Sequence, residues 1–288
     1  MNGFTAGDGM WAWRAQSALE EARGALALGL YARAKRAAAR AIALGSRPSS
    51  AYALFARACA GDGRWSEADR ALAVGWQRAD RVEDAFALLR TAGDVYYRRG
   101  HFAAAALSWQ RALMLCPDWP GGWYRLGCAC ACAGAFDAAA VAFRECDGAD
   151  GDCRLLAAWC AHLAGMPRQA KRDLHLAARR GVTDEVMARA LGALAFALGQ
   201  DVLAAAWAKS CAADTRFVPI AFEIWSLLAW RDGRVREAAC LAKKAVTAGG
   251  RRHAPVFLAT EFSRHGAEAH ERTDGPSSTM GLEDERTN

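Results

Sequence analysis

The hydrophobic and polar positions of this chain fall into short segments of helical period, each about three turns long, separated by glycine-bearing breaks. The breaks are phased. A glycine followed five residues later by an alanine occurs as Gly29 and Ala34, Gly63 and Ala68, Gly100 and Ala105, Gly134 and Ala139, Gly165 and Ala170, Gly199 and Ala204, and Gly233 and Ala238. Successive glycines are 34, 37, 34, 31, 34 and 34 residues apart, so the one long and one short spacing cancel. A constant period near 34 with a helix on either side of each glycine predicts stacked helical hairpins.

Within each hairpin the glycine ends the first helix at low steric cost, and the alanine lets the second lie close to the first. Seven residues before each glycine stands another small residue: Ala22, Ala56, Gly93, Gly127, Ala158, Gly192 and Ser226. Small residues facing each other permit close backbone approach.

These residues resemble the tetratricopeptide repeat family, whose pattern is W-x2-L-G-x2-Y, then A-x3-F, then P. One unit carries Trp123, Leu126, Gly127, Cys130 in the tyrosine slot, Ala139 and Phe143; the unit before it carries Gly93, Tyr96, Gly100, Phe102, Ala105, Trp109, Ala112 and Pro117. The resemblance implies an all-α, right-handed superhelical α-solenoid of antiparallel helix pairs. It spans seven repeats at residues 15–48, 49–85, 86–119, 120–150, 151–184, 185–218 and 219–252. The aromatic after the glycine gives way to Pro167, Asp201 and Val235 in later copies. A three-residue insertion between Arg81 and Ala85 and a three-residue deletion around Cys146–Gly151 fall at repeat junctions, where loop length varies at small cost. Residues 1–14 form an N-terminal extension in which Met10, Trp11 and Trp13 are expected to lengthen the first helix and cover the first repeat. Residues 253–270 read as a capping helix and 271–288 as a disordered acidic tail.

At 53% hydrophobic and 24% charged residues the chain carries enough apolar material for a sizeable core. The opening residues show no secretory leader pattern, no stretch reads as a membrane span, and the ten cysteines lie inside apolar helical patterns. A cytoplasmic protein is expected. Its net charge of +6 favours acidic partners without demanding nucleic acid.

In the family it resembles, first helices line the concave side of the array. Non-packing positions on those helices give a candidate partner-binding stripe: Arg23, Arg57, Arg90, Asp94, Tyr97, Arg98 and Tyr124, with Arg125 beside it, then Trp159, His162, Arg189, Phe196, Trp230 and Arg231. The stripe is cationic toward one end and aromatic toward the other, which suits an acidic and apolar peptide or an amphipathic helix. The position that holds asparagine in the carboxylate-clamp members carries arginine, aspartate, cysteine or apolar residues here, so a chaperone C-terminus is not the expected partner.

No phosphate loop, nucleophile elbow or HExxH motif is present, and a non-enzymatic scaffold, adaptor or assembly chaperone without cofactor is expected. The alternative is a basic helical-repeat protein binding RNA or another polyanion through runs such as Arg33, Lys35, Arg36 and Arg40. Cys128 and Cys132, four apart, could share a ligand with His162, and Arg125 could lower the Cys128 pKa. Both ideas stand below simple packing.

Overall fold

The computed structural model describes residues 6–45, 48–146 and 150–249. Among them every regular element is an α-helix. The helices pair as α1 (Ala6–Ala27) with α2 (Tyr31–Ala43), α3 (Pro48–Gly61) with α4 (Trp65–Gln77), α5 (Val82–Arg98) with α6 (Phe102–Leu115), and α7 (Gly122–Cys132) with α8 (Phe136–Arg144). The pairs continue as α9 (Gly151–Leu163) with α10 (Pro167–Arg180), α11 (Glu185–Ala197) with α12 (Asp201–Ala212), and α13 (Val218–Arg231) with α14 (Val235–Gly249). They form two compact units, α1–α10 up to Val182 and α11–α14 from Thr183.

One hydrogen-bonded turn closes every pair and explains the sequence marker. All seven marker glycines have positive φ, between 64° at Gly199 and 81° at Gly100. This left-handed conformation lets the N–H of the next residue reach back to the carbonyl five positions earlier: Leu30 to Ala25, Arg64 to Cys59, His101 to Tyr96, and likewise down to Arg234 to Ala229. The carbonyl of that same residue accepts the N–H of the marker alanine, as in Ala34 to Leu30 and Ala238 to Arg234. It thereby opens the second helix. Because backbone supplies these bonds, the residue there need not cap with its side chain, and Leu30, Arg64, His101, Ala135, Met166 and Gln200 all serve. All seven marker alanines are fully buried.

The second small position does its work against a ring or a branched chain of a neighbouring helix. A Cβ on Gly93 would collide with the indole of Trp109, and one on Gly127 would stand 2.8 Å from the Phe143 ring. A Cβ on Gly192 would collide with the Ile224 side chain, with Trp207 in ordinary contact at 3.8 Å. Trp109 Nε1 donates to the Arg90 carbonyl at 3.2 Å, and Trp207 Nε1 to the Ala188 carbonyl at 3.1 Å, so repeats three and six seat tryptophan identically. Ala22, Ala56, Ala158 and Ser226 fill the remaining small positions, all fully buried.

The two spacing irregularities are absorbed by helix as well as by loop. Helix α5 starts at Val82 and runs 17 residues, so the insertion adds helical turn to its N-terminus. Helix α8 has only 9 residues, so the deletion shortens it. Met10, Trp11 and Trp13 lie within α1, where Trp13 is 69% exposed and the other two about half, and Trp13 lines a groove with Arg40 and Leu44 of the first repeat. The expected capping helix and acidic tail lie outside the described residues.

Charged residues staple α1, α2 and α4. Glu21 accepts from Arg33 at 3.1 Å and also pairs with Arg40, and Glu67 accepts from Lys35 at 2.5 Å and Arg64 at 3.1 Å. Arg33, Lys35 and Arg40 of the basic run on α2 are thus paired within the fold, sharing two carboxylates. The Arg33 hydrogen bond holds the Glu21 carboxyl below its ordinary 4.5, and the Lys35 hydrogen bond does the same for Glu67. A carboxyl depressed in the native state contributes stability above its unfolded pKa and loses it as pH falls through the native value. Urea midpoints measured from pH 6 to 2.5 are therefore expected to decline below about pH 4.5, and Glu67→Gln should make that decline shallower.

Candidate partner-binding site

Repeats one to four build one cavity of 560 Å³ in the first unit. Leu26 and Tyr31 come from the first repeat, Arg57 and Ala60 from the second, and Asp94, Val95, Tyr97, Arg98 and Trp109 from the third. The fourth contributes Pro120, Gly121, Tyr124, Arg125 and Cys128. The turn before α7 sets the rim. Gly121 takes a φ of 69°, and Gly122 lies so close to the buried Trp119 that a Cβ there would stand 2.6 Å from its ring. Trp119 in turn meets Phe86 edge-on at 5.6 Å.

Arg57, Asp94, Tyr97, Arg98, Tyr124 and Arg125 all face this cavity, so six of the residues singled out by helical phase converge. Asp94 sits between two of the arginines, 3.0 Å from Arg125 Nη1 and 3.8 Å from Arg57 Nε. Arg125 also lies over the Trp109 ring at 5.9 Å, and Arg98 over the Tyr31 ring at 5.8 Å. Arg90 is half-buried beside the cavity, over Phe86. Burial lowers its pKa, as do the neighbouring charges of Arg57, Arg125 and Arg23, against the opposing pull of Asp94. Arginine remains charged throughout. The result is one carboxylate among several guanidinium groups, a site with positive potential to spare.

The aromatic wall is built from Tyr97, packed at 5.4 Å on Trp109 and 5.3 Å on Phe102, and from Tyr124, edge-on to Phe143 at 5.8 Å. The Tyr97 hydroxyl lies 3.8 Å from the Cys132 sulfur, and this hydrogen bond, with burial, pushes its pKa up to about 12. It is a neutral hydrogen-bonding group at physiological pH.

The remaining stripe residues do other things. Arg23 is exposed and pairs with Glu20 at 2.6 Å. Trp159 and His162 of α9 pack on each other edge-on, ring centroids 6.2 Å apart. In the second unit Arg189 Nε donates to Glu223 at 2.8 Å. Arg231 covers the Phe196 ring at 3.6 Å, donates to the Phe196 carbonyl and pairs with Asp201. Trp230 is half-buried. Phe196 is therefore faced by an arginine of its own unit.

Phase alone did not find Tyr31 and Trp109, because both lie on second helices. Tyr31 occupies the aromatic slot two residues after a marker glycine, and that slot was the available signal. It is seated by Gly61, whose Cβ would collide with its ring.

Cys128 is a packed thiol and not an activated one. Burial pushes the Cys128 pKa up, and the hydrogen bond to Tyr124 and the charge of Arg125 do not reverse it. Cys130, in the tyrosine slot, and Cys146 and Cys211, late in second helices, are buried as small hydrophobes. Among the described residues no group of three or more His, Cys, Asp or Glu side chains converges on a metal-sized site, Cys128, Cys132 and His162 included.

No family model matches the chain, and no curated protein matches it. Solved structures do. The C-terminal part of a TPR repeat-containing protein from Cytophaga hutchinsonii superposes with a TM-score of 0.60 at 12% identity, covering 80% of this chain and 95% of that one. The structure reported in a functional characterisation of Pseudomonas aeruginosa PilF gives 0.53 at 15% identity, covering 70% and 92%. A tetratricopeptide repeat protein from Parabacteroides merdae gives 0.50 at 14% identity, covering 83% and 94%. At these identities the likeness is one of fold.

Proposed function

Because this chain has the fold of the tetratricopeptide repeat proteins, we propose that it is a non-enzymatic interaction scaffold, an adaptor or assembly chaperone. In this reading it holds a segment of another protein in the cavity of repeats one to four. The observation that carries the reading is the convergence of Arg57, Arg98, Arg125, Tyr97 and Tyr124, from three different repeats, on one concave site. Its volume lies in the range of pockets that enclose a ligand, roughly 300–1,000 Å³. Guanidinium groups and aromatic rings are the side chains that concentrate binding energy in interfaces. The partner segment is acidic and carries a large apolar or aromatic residue, presented as an extended peptide or along one face of a helix.

A reducing compartment suits ten free thiols, and we place the protein in the cytoplasm. No helix among the described residues is long and apolar enough to cross a membrane.

Arg98→Glu is the clean test, because Arg98 is exposed and engages a ring, so reversing its charge leaves the core alone. Captured from the native host lysate, the wild-type chain should retain a protein that the variant binds about tenfold more weakly, a difference of roughly 1.4 kcal/mol, with or without nuclease. A partner that disappears with nuclease and ignores Arg98→Glu would replace this reading with polyanion binding, which should also weaken steeply with salt.

A further inference from the structure

The central carboxylate of the cavity belongs to the protein itself. Asp94 projects from α5 between Arg57 of α3 and Arg125 of α7, and so joins three successive repeats through one charged group. It is a lining residue of the cavity and keeps 18% of its side-chain exposure. The arrangement is unevenly satisfied. Two guanidinium groups bring about ten N–H donors, and one carboxylate offers about four lone-pair sites. Arg125 is bonded to it at 3.0 Å, but Arg57 stands at 3.8 Å, an ion-pair distance beyond hydrogen-bond range. Arg90, close enough to interact with Asp94, Arg57 and Arg125, adds further positive potential. A carboxylate bound at this place makes the same kind of contact that an acidic side chain of a partner would make.

We propose that Asp94 is a resident stand-in for the partner's carboxylate, neutralising Arg57 and Arg125 in the free protein and yielding them to an acidic side chain on binding. The inference rests on the reading of the cavity as the partner site and adds its selectivity. A weakly acidic segment cannot displace a carboxylate already in place. A segment with an acidic residue beside an aromatic one can, because the ring gains the wall of Tyr97, Trp109 and Tyr124 while the carboxylate takes over the guanidinium groups. Asp94 then sets a threshold against casual anions in a cationic pocket.

The opposite role is a brace, in which Asp94 holds the arginines in a receptive geometry and helps binding. The two roles predict opposite signs. The probe is a peptide of three Trp-Glu repeats carrying an uncharged dye, with the matching Trp-Gln peptide as control, read by fluorescence anisotropy on the full chain at two salt concentrations. Asp94→Asn keeps the shape and removes the competing charge; Asp94→Ala removes the group altogether and guards against a residual amide contact. The expected result is about tenfold tighter binding of the Trp-Glu peptide by both variants, with a steeper salt dependence and little change for Trp-Gln. Equal or weaker binding of Trp-Glu by both variants, with wild type still binding it, would overturn the role of Asp94 and leave the cavity reading standing. If neither wild type nor variants distinguish Trp-Glu from Trp-Gln, the cavity is not an acidic-segment site and both readings fall.

Discussion

Asp173→Ala is expected to lower the stability of the chain by about 3–5 kcal/mol, the loss seen when one partner of a buried ion pair is removed. Asp173 lies on α10 with its side chain only 3% exposed. It accepts from Arg144 Nε of α8 at 2.8 Å and stands 3.6 Å from Arg154 Nη1 of α9. Both arginines are mostly buried, and the Nε of Arg154 already lacks a hydrogen-bond partner. Without Asp173, two guanidinium groups would share a half-closed site with no carboxylate between them. Asp173→Asn should cost less, because an amide oxygen still accepts one hydrogen bond. Replacing the trio together, Arg144→Met, Arg154→Met and Asp173→Leu, should recover most of the loss, since the desolvation of three charges then disappears from the balance. Urea unfolding of the three variants measures this ordering. A single alanine variant as stable as wild type would show that the trio contributes nothing.

Gly151→Ala should be nearly as damaging, by about 3 kcal/mol, at the upper end of what overpacking costs. Gly151 opens α9 directly against the end of α10, and a Cβ there would overlap the carbonyl oxygen of Gly181 and lie 3.1 Å from that of Ala177. Both obstacles are backbone, so only a separation of the two helices relieves them. Gly93→Ala meets an indole instead, and part of its clash can be taken up by movement of Trp109. Gly24 has nothing within 4 Å of its would-be Cβ. Alanine there should raise stability by about 0.5–1 kcal/mol, the ordinary gain of removing glycine from a helix interior. Melting temperatures of the three variants should fall in the order Gly24→Ala, Gly93→Ala, Gly151→Ala. An inverted order would contradict the packing described for these helices.

The site was legible to the extent that helical phase places side chains on a face. Arg57, Asp94, Tyr97, Arg98, Tyr124 and Arg125 were readable because residues at fixed offsets on successive first helices project the same way. Tyr31 and Trp109 were not, because they reach the cavity from second helices. Nor was the role of Asp94, which phase placed on the stripe without showing that two arginines of neighbouring repeats close on it. Arg189 and Arg231 shared the phase, yet each engages a carboxylate of its own unit.

What the amino-acid order determined by itself was the hairpin. The turn depends on a glycine with positive φ, a carbonyl five residues behind its successor and an alanine four residues beyond that successor. All these atoms lie within about three helical turns of chain, so their pattern repeats in the letters. Only the tertiary structure decided which charges meet. Arg125 and Asp94 are 31 residues apart, Arg144 and Asp173 29, Arg189 and Glu223 34, and Arg231 and Asp201 30. Each pair spans about one repeat, so its partners meet only once neighbouring hairpins have stacked. Which of several nearby carboxylates a flexible arginine then reaches depends on side-chain rotamers and on competing rings, and neither is written in the period.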